Sequence, residues 1–176
     1  HGLVAWNNGL RYWADYFSTD YSLDEENSLL TVTGSIESLP LQYSRQYFFA
    51  DSHIEVVVTL TASQSFTVEN LIEVIPVPTC TRSNCAASSL RNRKLRGASL
   101  NIDGAPGTPN GTVVSASSVR VVDSLGKGMA IQLGTAHPLS IQRDGIRFIY
   151  YDDELQVGRI ELKLPTSWTV GQSYSL

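Results

Sequence analysis

The sequence predicts an all-β fold, an antiparallel β-sandwich, and three observations carry that expectation. Short runs rich in Val, Ile, Thr and aromatic residues recur along the chain. Most alternate apolar with polar residues, and "DG", "NG" and "GKG" turns separate them. A period of two turns one face of each strand toward a core, so two such sheets bury their apolar faces against each other. No repeat period appears, which disfavours propellers and solenoids. At 176 residues the chain is long enough to form one domain, spanning 1–176.

From the N-terminus, Trp6, Leu10, Trp13 and Phe17 fall at helical spacing. Residues 7–17 therefore admit a short N-terminal helix capped by Asn7 or Asn8, with an aromatic-rich strand as the competing reading. These rings either anchor a core or form a platform on which sugars stack, Trp13 being the candidate substrate-binding residue. Strands are expected at 28–36 (SLLTVTGSI), 53–61 (HIEVVVTLT), 65–77 (SFTVENLIEVIPV), 117–123 (SSVRVVD), 128–134 (GMAIQLG), 145–151 (GIRFIYY) and 157–165 (VGRIELKLP). In the last, Val157, Arg159, Glu161 and Lys163 interleave with Ile160, Leu162 and Leu164, giving a polar face and an apolar one. The final "GQSYSL" is strand-like with no polar tail, and is expected to be a cut end of a longer chain.

Acidic residues outnumber basic ones 17 to 13, for a net charge of -4 and a pI near 5.3. Such a balance offers no general field for nucleic acid. No run reaches the roughly 18 to 20 apolar residues of a membrane span, so no membrane partner is expected. Cys80 and Cys85 lie in the polar "TCTRSNC", where a disulfide would close a small loop, two free thiols being the alternative. With no second cysteine pair, four-ligand zinc is a poor reading. Asn110 opens "NGT", an N-glycosylation acceptor in a turn-rich stretch, and together with the cysteines it points to a secreted glycoprotein. The segment after the cysteines concentrates Arg82, Arg91, Arg93, Lys94 and Arg96. It reads as a solvated loop or as a cationic lip in which Arg91, Arg93 and Arg96 bind an anionic polysaccharide through guanidinium–carboxylate pairs.

The stretches "SSVRVVDSLGKGMAIQLGTAHPL" and "YYDDELQVGRIELKLPTSWTVGQSYSL", roughly the last 65 residues, resemble the β-sandwich modules of secreted polysaccharide lyases of the heparinase II/III-like kind. The resemblance implies a polysaccharide partner containing uronic acid and an α-helical catalytic domain or chain elsewhere. Those modules begin near a "HG" followed by a second His and an Asp; here His1 and Gly2 are kept but the others are not, so no metal site carries over. Lyase chemistry needs a base, an acid and carboxylate neutralisers that converge. Tyr150, Tyr151, His137 and Arg143 are the right types, but nothing local orients them, so the catalytic residues are expected largely outside this chain.

Taken as a natural N-terminus, His1 gives a second reading. The chain is then similar to secreted copper monooxygenases acting on polysaccharides, in which the terminal amine and imidazole of residue 1 and a second His hold copper. His53 or His137 would be that second ligand, with Tyr150 or Tyr151 axial. Copper is the cofactor on that reading alone; the lyase-module reading needs none. Classical hydrolases lack support: there is no G-x-S-x-G and no H-E-x-x-H. The adjacent Asp152, Asp153 and Glu154 suit a solvated hairpin, or secondarily a weak Ca²⁺ site, better than a glycosidase pair. The expectation is thus a sandwich module of a secreted carbohydrate-active enzyme, with the copper oxidase second and a non-catalytic carbohydrate-binding or structural sandwich third.

Overall fold

The computed structural model describes residues 2–13, 19–36, 39–77, 99–122, 128–143 and 157–176, with 13, 143 and 157 described by backbone alone. Among them every regular element is a strand, and the sheets are antiparallel. In chain order the strands are β1 (Gly2–Asn7), β2 (Leu10–Trp13), β3 (Asp20–Asp24), β4 (Leu29–Ser35), β5 (Leu41–Phe49), β6 (Ile54–Ala62), β7 (Phe66–Thr67) and β8 (Asn70–Pro76). They continue with β9 (Ser99–Ile102), β10 (Ala105–Pro106), β11 (Val113–Val122), β12 (Gly128–Arg143), β13 (Val157–Lys163), β14 (Ser167–Trp168) and β15 (Ser173–Ser175). The chain divides into two compact units, one formed by Glu73–Lys163 and the other by Gly2–Ile72 with Leu164–Leu176. The second is therefore interrupted in sequence by the first.

The helix weighed for residues 7–17 does not form in its described part. Asn7 ends β1, Asn8 and Gly9 turn, and β2 runs back with Asn7 opposite Leu10, Trp6 opposite Arg11 and Val4 opposite Trp13. The reason is local: Asn8 (φ 52°) and Gly9 (φ 72°) both sit in the left-handed region, as a two-residue type I′ hairpin turn requires. Asn and Gly reach that region at low cost, so the turn chemistry overrides the helical spacing of the aromatic residues.

In the interrupted unit, this hairpin covers a five-stranded sheet of order β15–β6–β5–β4–β3. Leu3 and Ala5 of β1 meet Leu41, Tyr43, Val58, Leu60 and Ala62, whose alternation in β5 and β6 turns them all to one side. Leu71, Leu164 and Trp168 complete the core. Each fully buried Leu or Val contributes about 1.5 to 3 kcal/mol. Two stretches of chain distant in sequence are tied here: Leu164 N donates to Leu71 O at 2.9 Å, and the paired Phe66 and Trp168 stack at 6.0 Å. The Tyr43 ring lies over Gly34, its cross-strand partner, where a Cβ would come within 2.5 Å of the Tyr43 Oη. Only glycine leaves room for that ring.

In the continuous unit the order is β10–β9–β11–β12–β13, with the Glu73–Pro76 part of β8 beyond β13. Leu100, Ala116, Val119, Val121, Leu139, Ile141, Ile160 and Leu162 are buried, and the apolar face expected for β13 is thereby confirmed. Asp103 (φ 48°) and Gly104 (φ 81°) form a second left-handed two-residue turn between β9 and β10. The register of β11 and β12 slips between Ala116 and Ser118, which face His137 and Gln132. Ser117 is thus opposed by the bulge 133–136 of β12. Asp103 Oδ1 fastens this irregularity, accepting hydrogen bonds from the backbone N–H of Ser117 (3.0 Å) and Ser118 (2.8 Å) and from both hydroxyls. The Ser118 N–H and Ser117 hydroxyl, foremost among these donors, hold the Asp103 carboxyl below its usual range.

Candidate functional site

The core covers one face of the five-stranded sheet around Leu41, Tyr43, Val58, Leu60 and Ala62, while Tyr21, Leu23, Phe49 and Ile54 on that side stay exposed; alternation sends a mostly polar set of residues to the other, outer face. Its residues line up across the strands in four rows. The first is Ser173, Thr61, Gln42 and Ser35. The second is Ser175, Thr59, Ser44, Thr33 and Asp20. A third joins Val57, Gln46, Thr31 and Ser22, and the last joins Glu55, Phe48, Leu29 and Asp24. Neighbouring strands lie about 4.8 Å apart and successive rows about 7 Å, so hydroxyls and amides tile the sheet on a regular grid. Thr59 and Ser175 hydroxyls meet at 3.3 Å, those of Thr61 and Ser173 at 3.2 Å. Gln42, Thr33, Ser173, Ser175, Glu55 and the whole of β3 are exposed, and Phe48 is half-buried. The charged members of the face are Asp20, Asp24 and Glu55, all acidic. Asp24 also accepts the side-chain amide of Asn27 at 2.7 Å, which with the Asn27 N–H lowers its pKa.

A second polar cluster lies in the continuous unit, on the polar face of β13. Glu161 is buried there, and its carboxylate gathers four donors: Arg159 Nε (2.8 Å), Lys163 Nζ (3.1 Å), Ser140 Oγ (3.3 Å) and Gln142 Nε2 (3.3 Å). Burial pushes its carboxyl upward, but the hydrogen bonds and charges of Arg159 and Lys163 outweigh that and hold it below the usual carboxylate range. The cross-strand register, Ser140 opposite Glu161 and Gln142 opposite Arg159, explains why these groups meet. Sequence patterning identified this face as polar but not as buried.

The residues singled out from sequence fare differently. His137, expected in a loop, is in β12 and only 7% exposed, sharing its strand face with Leu139 and Ile141. Its Nε2 lies 2.7 Å from the Lys163 carbonyl oxygen, an acceptor only, so Nε2 carries the proton and is committed to the backbone. Burial lowers its pKa, with the Lys163 bond opposing the shift. His53 is exposed just before β6, with Nδ1 3.2 Å from Ser52 Oγ. The two belong to different units, and among the described residues no three His, Cys, Asp or Glu side chains gather to hold a metal. His1, Cys80, Cys85, Arg91, Arg93, Arg96, Tyr150 and Tyr151 lie outside the described residues, as does the Trp13 side chain, and so does the disulfide expected at 80–85. Asn110 is exposed, and its Oδ1 accepts the Thr112 N–H at 2.9 Å. Trp6 is capped by the Arg11 guanidinium at 5.2 Å, a cation–π contact across the β1–β2 hairpin. Compared with protein-family models, curated proteins and solved structures, the chain matches none.

Proposed function

We propose that the chain is a non-catalytic glycan-binding β-sandwich module of a secreted carbohydrate-active protein, whose bond-breaking residues are carried elsewhere. The observation that supports this reading is the outer face of the five-stranded sheet, where rows of Ser, Thr and Gln side chains present groups that both donate and accept hydrogen bonds at the spacing of the strands. A polysaccharide is a chain of polyols, and its recognition needs many modest hydrogen bonds spread over an extended surface. Such a surface holds a polysaccharide for a catalytic domain or chain carried elsewhere. Secretion and glycosylation belong to the same reading, since the exposed Asn110 offers its side chain in the turn that brings Thr112 near it.

The test is retention of the full chain on a panel of soluble polysaccharides of both neutral and acidic classes, followed by affinity electrophoresis. Retention by at least one glycan, abolished when Ser44→Arg places a bulky cation in the middle of the grid, is the expected result. Failure to bind any member of the panel, or binding indifferent to Ser44→Arg, refutes the reading.

A further inference from the structure

The charge and shape of the outer face select among glycans. Among its described residues the face carries no Lys, Arg or His, while acids stand at its margins: Asp20 and Asp24 on β3 and Glu55 near the start of β6. A polyuronate laid here would bring carboxylates beside carboxylates with no cation to pair them, and like charges at such range repel. A neutral sugar meets the opposite situation. Ionised carboxylates are acceptor-only, and hydroxyl donors to them form the stronger, charge-assisted kind of hydrogen bond.

The last row adds an aromatic ring. Phe48 lies opposite Glu55 on one side and Leu29 on the other, with Gln46 two residues along its own strand on the same face. A half-buried ring flanked by an exposed carboxylate and an amide gives a sugar an apolar platform for its C–H face and acceptors for its rim hydroxyls. Phe48 is the one aromatic residue on this face among the described residues.

We propose that the outer sheet face binds a neutral, extended polysaccharide laid across the strands, one sugar stacked on Phe48 with hydroxyls donated to Glu55, and that it rejects uronic-acid chains. This rests on the glycan-binding reading and names the class of glycan. It departs from the uronate expectation that the family resemblance carries.

The full chain is titrated calorimetrically with hydroxyethyl cellulose and mixed-linkage β-glucan, and in parallel with polygalacturonate and alginate at low salt. Saturable binding to a neutral polymer is expected, weakened at least tenfold in Phe48→Ala and severalfold in Glu55→Gln, with no binding of the acidic polymers. Glu55 is exposed, so the second variant keeps its fold even where the first loses stability; circular dichroism of both confirms which case applies. Binding of the acidic polymers in preference to the neutral ones, or neutral binding unaffected by Glu55→Gln and by a folded Phe48→Ala, overturns the selectivity while leaving glycan binding intact. Binding of neither class overturns both.

Discussion

A carboxylate only 7% exposed keeps its charge when cations reach it, and Glu161 is reached by two, Arg159 and Lys163. Such groups make stability depend on pH in a direction that can be worked out. His137 is held below its ordinary 6.5 by burial, so between its folded value and 6.5 the unfolded chain binds a proton that the folded one refuses. Stability therefore falls as pH drops through 6.5 and levels off below the folded value. Glu161 is held below 4.5 despite its burial, so its contribution is full above 4.5 and is lost as pH falls toward its folded value. Urea midpoints measured across acid pH should decline in two stages, and His137→Gln should flatten the upper stage, which sets in as pH falls through 6.5, while leaving the lower one. An unchanged upper stage in that variant would show that His137 does not control it. The alternation of β13 made Glu161 legible as polar, but its burial depends on β12, which no local pattern reports. Arg45 was illegible for a related reason. It occupies a core-facing position of β5, a strand absent from those expected, and is 5% exposed with its guanidinium 4.7 Å from the Tyr43 ring centroid, so a cation interrupts the apolar alternation of Leu41, Tyr43 and Tyr47.

Strands were legible where β-branched residues alternate: β4, β6 and β13 lie within a residue or two of their expected limits. The expected strand at 65–77 is two, β7 and β8, parted at Val68 and Glu69, whose N–H groups donate to Thr166 and Trp6 carbonyls. The strand at 128–134 continues to Arg143, because the bulge opposite Ser117 absorbs the Gly134 interruption. Turn residues proved the better guide at the N-terminus, where Asn-Gly outvoted four aromatic and aliphatic residues at helical spacing. Gly9→Ala should cost about 1 to 2 kcal/mol, since a Cβ is disfavoured in the left-handed region although space around it is open. The control is Gly2→Ala, in a strand with equally open surroundings, which should leave the denaturation midpoint within error or raise it. Equal effects of the two would mean that the turn conformation is not what Gly9 supplies.

No composition shift announces the division into two compact units, because the boundaries at Ile72–Glu73 and Lys163–Leu164 fall at strands rather than linkers. The sheet face proposed to bind glycan escaped the sequence reading for the same reason. Its rows join β15 to β6 and β3 to β4, pairings that local pattern cannot supply. Leu164 N and Leu71 O are in contact at 2.9 Å, so the two cut ends left by removing 73–163 are already neighbours. Joining Ile72 to Leu164 through a short Asn-Gly linker should yield a folded unit, with cooperative urea unfolding and a near-ultraviolet signal from the stacked Phe66 and Trp168. A non-cooperative transition would show that the core of this unit requires Glu73–Lys163. The same interruption imposes a timetable on the ribosome. The nascent chain exposes β1–β7 first, then waits while 73–163 is translated, on the order of 5 to 20 s at ordinary elongation rates, before Leu164, Trp168 and Tyr174 arrive. Until β15 pairs with it, β6 is an open, Val- and Thr-rich border of a growing sheet, which makes this interval the one in which the newborn protein most needs a chaperone.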